Sequence, residues 1–486
     1  MPARVDPASG PFPGSGRRTR DRAFTCRTPA GMRLPDTVGS SGAGHGAAGR
    51  EGWARMARTV LRGLRYPGEV AVEDGRIVAV GSVPAEPGDV EIRCDGDILT
   101  AGLVNTHHHF YQWMTRGWAF DCSLFGWLST LYPVWARLTP EDVQAAAAVA
   151  LGELALSGCT TAADHHYLVP GGDDSVFDAI AAAARTIGIR THIARGSMDL
   201  GQSRGGLPPD SVVEDLDDIL ASTSAVHARL HDGEKIFVTA APCSPFSVTT
   251  ELMTATAELA RGLGIRMHTH LAETLDEERD SLARFGRRPL QLLDDIGWIA
   301  PDVWVAHGIH FDDAEVIRLA ETGTGIAHCP SSNCRLGSGI ARVKDLVTAG
   351  APVGLGVDGV ASNEIGTLMP EMRQALFLAR QRDMDPTAFL PVDALSLATT
   401  GGARCLGRDD IGAVQVGLRA DLVVWPGEDV ADVLDPVAAL VLGPERTARH
   451  VFVGGEYVVR DGALVGADIR TLHAELARRV RRLWPD

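Results

Sequence analysis

The sequence predicts an α/β protein whose main body is a (β/α)8 barrel of the TIM type, joined to a small β-sandwich domain formed from both ends of the chain. Three observations predict this fold. Short apolar runs alternate with helical segments over roughly 260 residues in the middle of the chain. Runs that alternate apolar and polar residues around turn signals occur near both ends. Histidine and aspartate residues close several central runs, as in barrels whose strands end at an active site.

Eight apolar runs in the middle of the chain are the candidate barrel strands. They are Ile98–Asn105, Thr160–His165, Arg190–Arg195, Lys235–Pro242, Arg266–Leu271, Val303–Gly308, Thr324–Cys329 and Pro352–Asp358. An open, doubly wound sheet is the alternative architecture for such alternation. No glycine-rich phosphate loop follows any of these runs, and this favours the barrel.

The helices between these runs carry recognisable start and stop signals. Thr139 and Pro140 precede "EDVQAAAAVALGELALSG", so the sequence predicts a helix with Thr139 as its N-cap, proline in the first position and Gly158 as its stop. Asp312 and Glu315 are three residues apart at the start of another helix, which is the spacing of a capping box.

The two ends of the ordered chain have the patterning of antiparallel strands. "TVLRGLRYPGEVAVEDGRIVAVG" turns at Glu73-Asp74-Gly75, and "ADLVVW" and "RHVFVGGEYVVRDGALVG" supply matching strands near the other end. The predicted division is therefore a β domain from residues 55–98 and 410–486, with the catalytic barrel, residues 99–409, inserted between its halves. Residues 1–54, rich in glycine, proline, alanine, serine and arginine, are predicted to be a disordered extension.

Composition and charge exclude several classes of function. The chain is 45% hydrophobic and 22% charged over 486 residues, which suits one large domain and one small one. Its formal net charge is −16, so a nucleic-acid partner is not expected. The eight cysteines form no CxxC pair, and no apolar run approaches the ~18 residues of a membrane span. We expect a cytoplasmic protein with a small-molecule substrate, no membrane partner and a homo-oligomeric state.

Four residues at strand ends predict one metal site. His107 and His109 follow the first strand, and since residues i and i+2 of a strand point to the same side, both imidazoles can reach one ion. His270 ends the fifth strand and Asp358 ends the eighth. Three imidazoles and a carboxylate suit one divalent ion, with zinc first and ferrous iron as the alternative, and leave a position for water.

Three residues near this site have catalytic potential. Asp358 can contact both the metal and its water, and it could take the proton of that water. Glu273, three residues beyond His270, could protonate a ring nitrogen of the substrate. His307 ends the sixth strand and could orient the water.

Other residues are expected to line the pocket or to be structural. His165 and His166 end the second strand and are predicted to line the pocket. The Trp- and Phe-rich loop that begins at Phe125 and contains Trp127 would cap it, although ordinary loop packing explains the same residues. His310 and His328 fit structural roles as well as functional ones. Each of the four ligand candidates could by itself have a structural role. Their occurrence together at strand ends favours the metal site.

At this point the residues resemble those of a known family. "GLVNTHHHFYQ", "HTHLAET", "VAHG", "HCPSSNCRLGSG" and "GLGVDGVASNE" look like the signature segments of the amidohydrolase superfamily, and more narrowly of the aminohydrolases that deaminate heterocycles with one metal. The resemblance spans roughly residues 58–466. It implies metal binding by His107, His109, His270 and Asp358, and acid/base roles for Glu273 and His307.

The resemblance also suggests a substrate. "NTHHHFYQ", "LFGWLSTLYPVWARL" and "TTAADHHYLVP" are most similar to enzymes that deaminate 8-oxoguanine, which implies that reaction, with uric acid and ammonia as products. Gln112 matches the position where similar guanine deaminases hold the purine edge. Their Pro-Arg-Phe run after the fourth strand is replaced by Pro242-Cys243-Ser244, so Cys243 stands where an arginine contacts guanine. Hydroxyatrazine-type aminohydrolases and guanine deaminases are the nearest alternatives.

Two further classes of function are open to test. One is a hydrolase that acts on another bond, such as a cyclic amide or a chlorinated triazine, which an ammonia assay on several heterocycles would separate. The other is an inactive relative that serves as a binding protein. Such proteins lose metal ligands, and none is missing here.

Overall fold

The computed structural model describes residues 57–484. The predicted disordered extension, residues 1–54, lies outside this range. The chain first forms a four-stranded sheet with the order β3-β2-β1-β4. Its strands are β1 (Thr59–Arg62), β2 (Glu69–Glu73), β3 (Arg76–Gly81) and β4 (Val90–Arg93). The turn at Asp74-Gly75 joins β2 to β3, and both of its residues have positive φ.

The middle of the described chain is a closed barrel of eight parallel strands, which confirms the predicted fold class. After β5 (Ile98–Ala101) the barrel strands follow in chain order: β6 (Leu103–Asn105), β7 (Cys159–His166), β8 (Arg190–Ser197), β9 (Ile236–Pro242), β10 (Met267–Leu271), β11 (Val303–His307), β12 (Gly325–His328) and β13 (Val353–Leu355). Helices cover the outside of the barrel, so its strands are buried on both faces and consist largely of small or apolar residues.

Helices alternate with these strands as the barrel requires. Their bounds are α1 (Leu124–Trp135), α2 (Pro140–Leu156), α3 (Ser175–Ile187), α4 (Leu216–Leu230), α5 (Thr250–Leu263), α6 (Leu275–Phe285), α7 (Pro289–Asp295), α8 (Asp313–Thr322), α9 (Pro330–Arg335), α10 (Val343–Ala349), α11 (Leu368–Asp383), α12 (Pro391–Ser396), α13 (Gly402–Cys405), α14 (Pro436–Leu442) and α15 (Ile469–Val480). The predicted capping box forms at Asp312 with Glu315, and the predicted N-cap Thr139 forms a second capping box with Asp142. Among residues 57–484, no helix has the length and apolar character needed to cross a membrane.

The first predicted barrel strand, Ile98–Asn105, is wrong as a single element. It divides at Gly102 into β5, which leaves the barrel, and β6, which closes it. A Cβ on Gly102 would lie 2.0 Å from Oγ1 of Thr160, so glycine permits the close approach of β6 to the neighbouring strand.

The far end of the chain returns to pair with β5. The second outer sheet has the order β17-β16-β15-β14-β5, and its later strands are β14 (Leu422–Trp425), β15 (His450–Val453), β16 (Glu456–Arg460) and β17 (Ala463–Leu464). β5, which was predicted to be part of the first barrel strand, thus pairs with a strand from the far end of the described chain outside the barrel. The division at residues 98 and 410 stays a prediction.

A buried ion pair joins the barrel to this outer sheet. Nε of Arg190, the first residue of β8, lies 2.8 Å from Oδ2 of Asp421, which directly precedes β14. Oδ1 of Asp421 also accepts a hydrogen bond from the backbone N–H of Gly454. Because both side chains are 1% exposed, neither charge has water as an alternative partner.

Candidate metal centre and active site

The four predicted ligands converge at the carboxyl ends of three barrel strands. His107 and His109 follow β6, His270 lies in β10, and Asp358 follows β13. Nε2 of His109 is 3.1 Å from Nε2 of His270 and 3.2 Å from Oδ1 of Asp358. Nε2 of His107 is 3.4 Å from the same carboxylate oxygen. The side chains are all at least nine-tenths buried, so the structure brings the whole predicted set together.

The chemistry of this donor set fits a divalent cation. Nε2 of His107 is buried and has no hydrogen-bond partner, although it faces the carboxylate. Burial lowers the pKa of both His107 and His270 below the ordinary histidine value, so both rings are neutral and each can offer a lone pair. Neutral imidazoles with one carboxylate are donors that zinc accepts.

Each ligand histidine is oriented through its other ring nitrogen. Nδ1 of His109 is 2.6 Å from the backbone oxygen of His165, and Nδ1 of His270 is 2.6 Å from that of Cys243. A carbonyl oxygen only accepts, so Nδ1 carries the proton and Nε2 is free to bind a metal. Such partners hold ligand rings in place and raise their basicity.

His107 is oriented by a histidine that the sequence analysis did not single out. Its Nδ1 is 2.8 Å from Nε2 of His268, whose own Nδ1 is 2.9 Å from the backbone oxygen of Trp304. His107, His165 and His268 have ring nitrogens close enough to form a second metal-binding group. Both nitrogens of His268 are already engaged, so this group serves as support. The signal was present, because His268 and His270 share one face of β10.

Asp358 is held by a cluster of hydroxyl groups. Its Oδ2 accepts hydrogen bonds from Ser332 at 2.6 Å and from Ser362 at 3.2 Å. Burial by itself would raise the pKa of Asp358, but hydrogen bonds to His107 and His109 outweigh burial and hold that pKa well below its ordinary value. The carboxylate is therefore ionised, as a metal ligand must be.

Glu273 is a buried acid beside this centre. Burial raises its pKa well above the usual range, and the nearby carboxyl groups of Asp358 and Glu277 raise it further. Both oxygens of Glu277 accept hydrogen bonds from the loop after β10, from the N–H groups of Ala272 at 2.9 Å and Glu273 at 2.7 Å. Burial thus favours the protonated form of Glu273, and Glu277 fixes the backbone of the loop that carries it. These are the properties of a general acid.

His307 stands next to Glu273 because of strand register. Leu271 of β10 pairs with His307 of β11, and Nε2 of His307 is 3.7 Å from Oε2 of Glu273. Nδ1 of His307 is 3.0 Å from Oδ1 of Asn333, which orients the ring. His307 and Asp358 have φ values of 72° and 60°, a conformation that side chains other than glycine rarely adopt. Such strain concentrates at functional sites.

A cavity opens from these groups. It is lined by His109, Gln112, Leu124, Trp127, Leu128, Tyr132, Tyr167, Cys243, Phe246, His270, Glu273, His307, Leu336 and Asp358. Gln112, Trp127 and Cys243 are therefore in the predicted pocket. The expected Trp- and Phe-rich loop is helix α1, whose buried residues recur at helical spacing from Leu124 to Trp135.

His166 does not line the cavity, so the structure corrects its place in the predicted site. Its Nε2 is 2.8 Å from the backbone oxygen of Leu168, and its ring packs against Tyr111 and Phe177. Because side chains alternate along β7 and its continuation, Tyr167 faces the cavity and His166 faces the other way. His165 supports His109, as described above, and His310 is 2.8 Å from the backbone oxygen of Ser338.

The arrangement can support one kind of chemistry well. It combines a donor set for one cation, an ionised carboxylate, a buried carboxyl group with a raised pKa and a cavity on the carboxyl-terminal face of a barrel. The fold and the site together define the class of metal-dependent barrel hydrolases.

Comparison with known proteins places the chain within this class. The Amidohydrolase family matches residues 98–458. An 8-oxoguanine deaminase from Pseudomonas aeruginosa is 50% identical over an alignment of 434 residues, which covers 87% of this chain and 96% of that protein. A hydroxydechloroatrazine ethylaminohydrolase from Pseudomonas sp. (strain ADP) is 37% identical over 75% of this chain and 79% of its own length.

A solved structure shows the same fold. An atrazine chlorohydrolase from Arthrobacter aurescens TC1, complexed with zinc, superposes with a TM-score of 0.82 at 31% identity, covering 87% of this chain and all of that one. The chain belongs to the amidohydrolase family, and it is a hydrolase.

Proposed function

We propose that this enzyme deaminates 8-oxoguanine hydrolytically, with uric acid and ammonia as products. The observation that carries the proposal is the cavity, in which the buried Glu273, whose pKa is raised by burial, lies beside the donor set of His107, His109, His270 and Asp358. The 50% identical 8-oxoguanine deaminase supports this choice of substrate.

The four ligands would hold one divalent ion, and we propose zinc, with ferrous iron as the alternative. When bound, such an ion supplies an activated water near neutral pH. The zinc present in the atrazine chlorohydrolase supports this assignment. The further steps belong to the side chains of the chain itself.

Two carboxyl groups move the protons of the reaction. Asp358 accepts one proton from the attacking water, whose oxygen bonds to the amino-bearing carbon C2 of the base, while Glu273 delivers its proton to ring nitrogen N3. The C2–amino bond then breaks as the proton on Asp358 passes to the amino group, which leaves as ammonia. The proton of the C2 hydroxyl returns to Glu273, so both carboxyl groups end as they began. One water is consumed for each ammonia released.

Gln112 and His307 would position the reacting groups. The amide of Gln112 offers a donor and an acceptor and can match the lactam edge of a purine. Its side chain packs against Gly359, directly after Asp358, which sets the lactam edge beside the reacting carbon. His307, oriented by Asn333, would hold the water or the developing oxygen.

The presence of Cys243 in the cavity supports 8-oxoguanine over guanine as the substrate. A long cation at this position would face the imidazole ring, and oxidation of C8 turns N7 of that ring from an acceptor into an N–H donor. Burial raises the pKa of the Cys243 thiol to about 12, so the thiol is neutral and does not repel that donor. Sites that leave a polar group unpaired with the wrong substrate discriminate strongly.

The test is a substrate panel on zinc-loaded enzyme, with ammonia release measured for 8-oxoguanine, guanine, isoxanthopterin and hydroxyatrazine. We expect the highest kcat/KM for 8-oxoguanine, with urate appearing in equal amount to ammonia. Asp358→Ala is the inactive control. We expect Cys243→Arg to narrow or reverse the preference over guanine. Equal or better turnover of guanine by the wild type would contradict the proposal, and a preference for the triazine would favour the hydroxyatrazine-type alternative.

A further inference from the structure

Glu371 is a buried carboxyl group that the mechanism above does not use. It is the fourth residue of helix α11, which follows the last barrel strand, and its side chain is fully buried. Its Oε2 accepts a hydrogen bond from the backbone N–H of Ser331 at 3.0 Å, and its Oε1 accepts one from Nδ2 of Asn363 at 2.8 Å. A buried carboxyl group is costly to a fold unless it is hydrogen-bonded, and here each oxygen binds a different segment of the chain.

The first of these segments carries two contacts to the active site. Ser331 lies in the first turn of α9, and the next two residues point to the proposed metal centre. Oγ of Ser332 donates to Oδ2 of Asp358 at 2.6 Å, and Oδ1 of Asn333 is 3.0 Å from Nδ1 of His307. The bond from the Ser331 N–H to the α11 carboxyl group therefore fixes the backbone directly before both contacts.

The second segment contains Asp358 itself. Nδ2 of Asn363 also donates to the backbone oxygen of Val357 at 2.7 Å, and Val357 directly precedes Asp358. Asp358 has a φ of 60°, a strained conformation that persists only where the surrounding structure holds it. The hydrogen bonds that run from Glu371 through Asn363 to Val357 thus end on the backbone beside this predicted metal ligand.

We infer that Glu371 is a positioning residue that fixes Asp358 and His307 relative to each other, because one carboxyl group binds both segments that hold them. The inference rests on the metal site of the proposed function. Glu371 acts through Ser331 and Asn363 and lies behind the groups that would contact the metal and the substrate. Partners of this kind, behind the ligands of a metal, commonly account for a factor of about 10 to 100 in metal affinity or activity.

Glu371→Gln tests the inference, because it keeps the shape of the side chain and replaces one acceptor oxygen by an NH2 group. This group faces a donor whichever way the amide turns, so one of the two bonds is lost. Burial raises the pKa of Glu371 to about 7, so the comparison is made at about pH 8.5, where the wild-type carboxylate is ionised. We expect zinc affinity, measured by competition with a chelator, to fall about tenfold or more. At saturating zinc we expect kcat to fall about tenfold while KM stays within about twofold.

Asp97→Asn is the matched control, because it makes the same chemical change in the outer sheet region. Asp97 is also a buried carboxylate that accepts a backbone N–H, from Gly427 at 3.1 Å, and it pairs with Arg449. This variant should have a lower melting temperature and keep the zinc affinity and kcat of the wild type. Asn363→Ala is a second test that changes no charge, and it should lower zinc affinity and kcat as Glu371→Gln does.

Melting temperature and zinc content establish that each variant is folded and loaded. If Glu371→Gln does not fold, Asn363→Ala decides. Zinc affinity and kcat that stay within about twofold of the wild type would overturn the inference, and so would equal losses in Asp97→Asn, since these would come from lost stability. Chelator competition needs no substrate, so a wild type that binds zinc but releases no ammonia from 8-oxoguanine would refute the proposed substrate alone. A wild type that binds no zinc would overturn the metal site and this inference together.

Discussion

The backbone oxygen of Cys243 lies 2.6 Å from Nδ1 of His270. This contact places the proton of the ring on Nδ1 and turns Nε2 toward His109 and the cavity. Cys243, the residue directly after β9, thereby orients a predicted metal ligand that lies in β10. In the proposed function, Cys243 would couple specificity to metal binding, because its backbone oxygen contacts His270 and its side chain lines the cavity.

We predict that His270→Ala loses both the bound ion and turnover. Removal of the ligand leaves three donors and breaks the link to Cys243. Metal analysis of the purified wild type should give about one divalent ion per chain. His473→Ala, whose ring pairs with Glu153 on the outside of the barrel, is the control and should keep the ion. A metal-free wild type with full turnover would disprove the site.

We predict that Glu273→Gln keeps the ion and lowers kcat by a factor of about 10² to 10⁴, the usual contribution of a positioned acid or base. An amide cannot deliver a proton to the ring, but it has nearly the same shape. Glu251→Gln, at an exposed position of α5, is the control and should leave turnover unchanged. The measurement is steady-state turnover beside metal content, and unchanged turnover in Glu273→Gln would remove this residue from the mechanism.

We predict that Gly359→Ala impairs substrate binding without loss of the ion. A Cβ at this position would lie 1.8 Å from Oε1 of Gln112, so the amide must move away from the lactam edge. We expect a higher KM and a fall in kcat/KM of about tenfold or more, because the contact is lost. Gly262→Ala, where the added Cβ meets nothing within 4 Å, is the matched control. A wild-type KM in Gly359→Ala would show that Gln112 does not hold the substrate.

We predict that Asp164→Asn makes stability less dependent on pH. Burial raises the pKa of Asp164 to about 7, whereas in the unfolded chain it is about 3.9. The folded state therefore binds the extra proton between these values, and the contribution of this group to stability falls as the pH rises through that window and is constant above about pH 7.

The side chain of Asp164→Asn does not titrate, so this variant lacks the fall in stability that Asp164 causes as the pH rises. Its amide oxygen can still accept the hydrogen bond from the N–H of Phe110. The stability of Asp164→Asn relative to the wild type should therefore rise by about 2 kcal/mol between about pH 5.5 and pH 7. Denaturant unfolding at fixed zinc concentration measures it. A difference that does not change with pH would contradict the raised pKa.

We predict that Asp421→Ala lowers the free energy of unfolding by about 3–5 kcal/mol and leaves kcat unchanged. The variant leaves the buried guanidinium of Arg190 without its counter-charge. The pair lies between β8 and the outer sheet, away from the cavity. Asp461→Ala, an exposed position, should cost less than about 1 kcal/mol. If Asp421→Ala lowered the free energy of unfolding by as little as Asp461→Ala, the Arg190–Asp421 ion pair would not be what holds the barrel and the outer sheet together.

Local patterns in the sequence were sufficient to predict the barrel and to select the proposed metal ligands. The spacing of His107 and His109, and the position of His270 and Asp358 at the ends of apolar runs, predicted a common site because all strand ends of a barrel open on one face. Helix α1 could also have been predicted from the sequence, since its apolar residues recur at helical spacing. Its many aromatic residues suggested a loop instead.

The sequence by itself determined the barrel, the capped helices and the donor set, because these depend on periodicity and on residue type at fixed spacing. Only the tertiary structure decided which side chains meet across strands. It turned His166 away from the cavity and brought Tyr132, Cys243 and Glu273 together from separate parts of the chain. It also joined His268 to His107. Contacts between residues more than a hundred positions apart depend on strand register and closure of the barrel, which leave no periodic trace in the sequence.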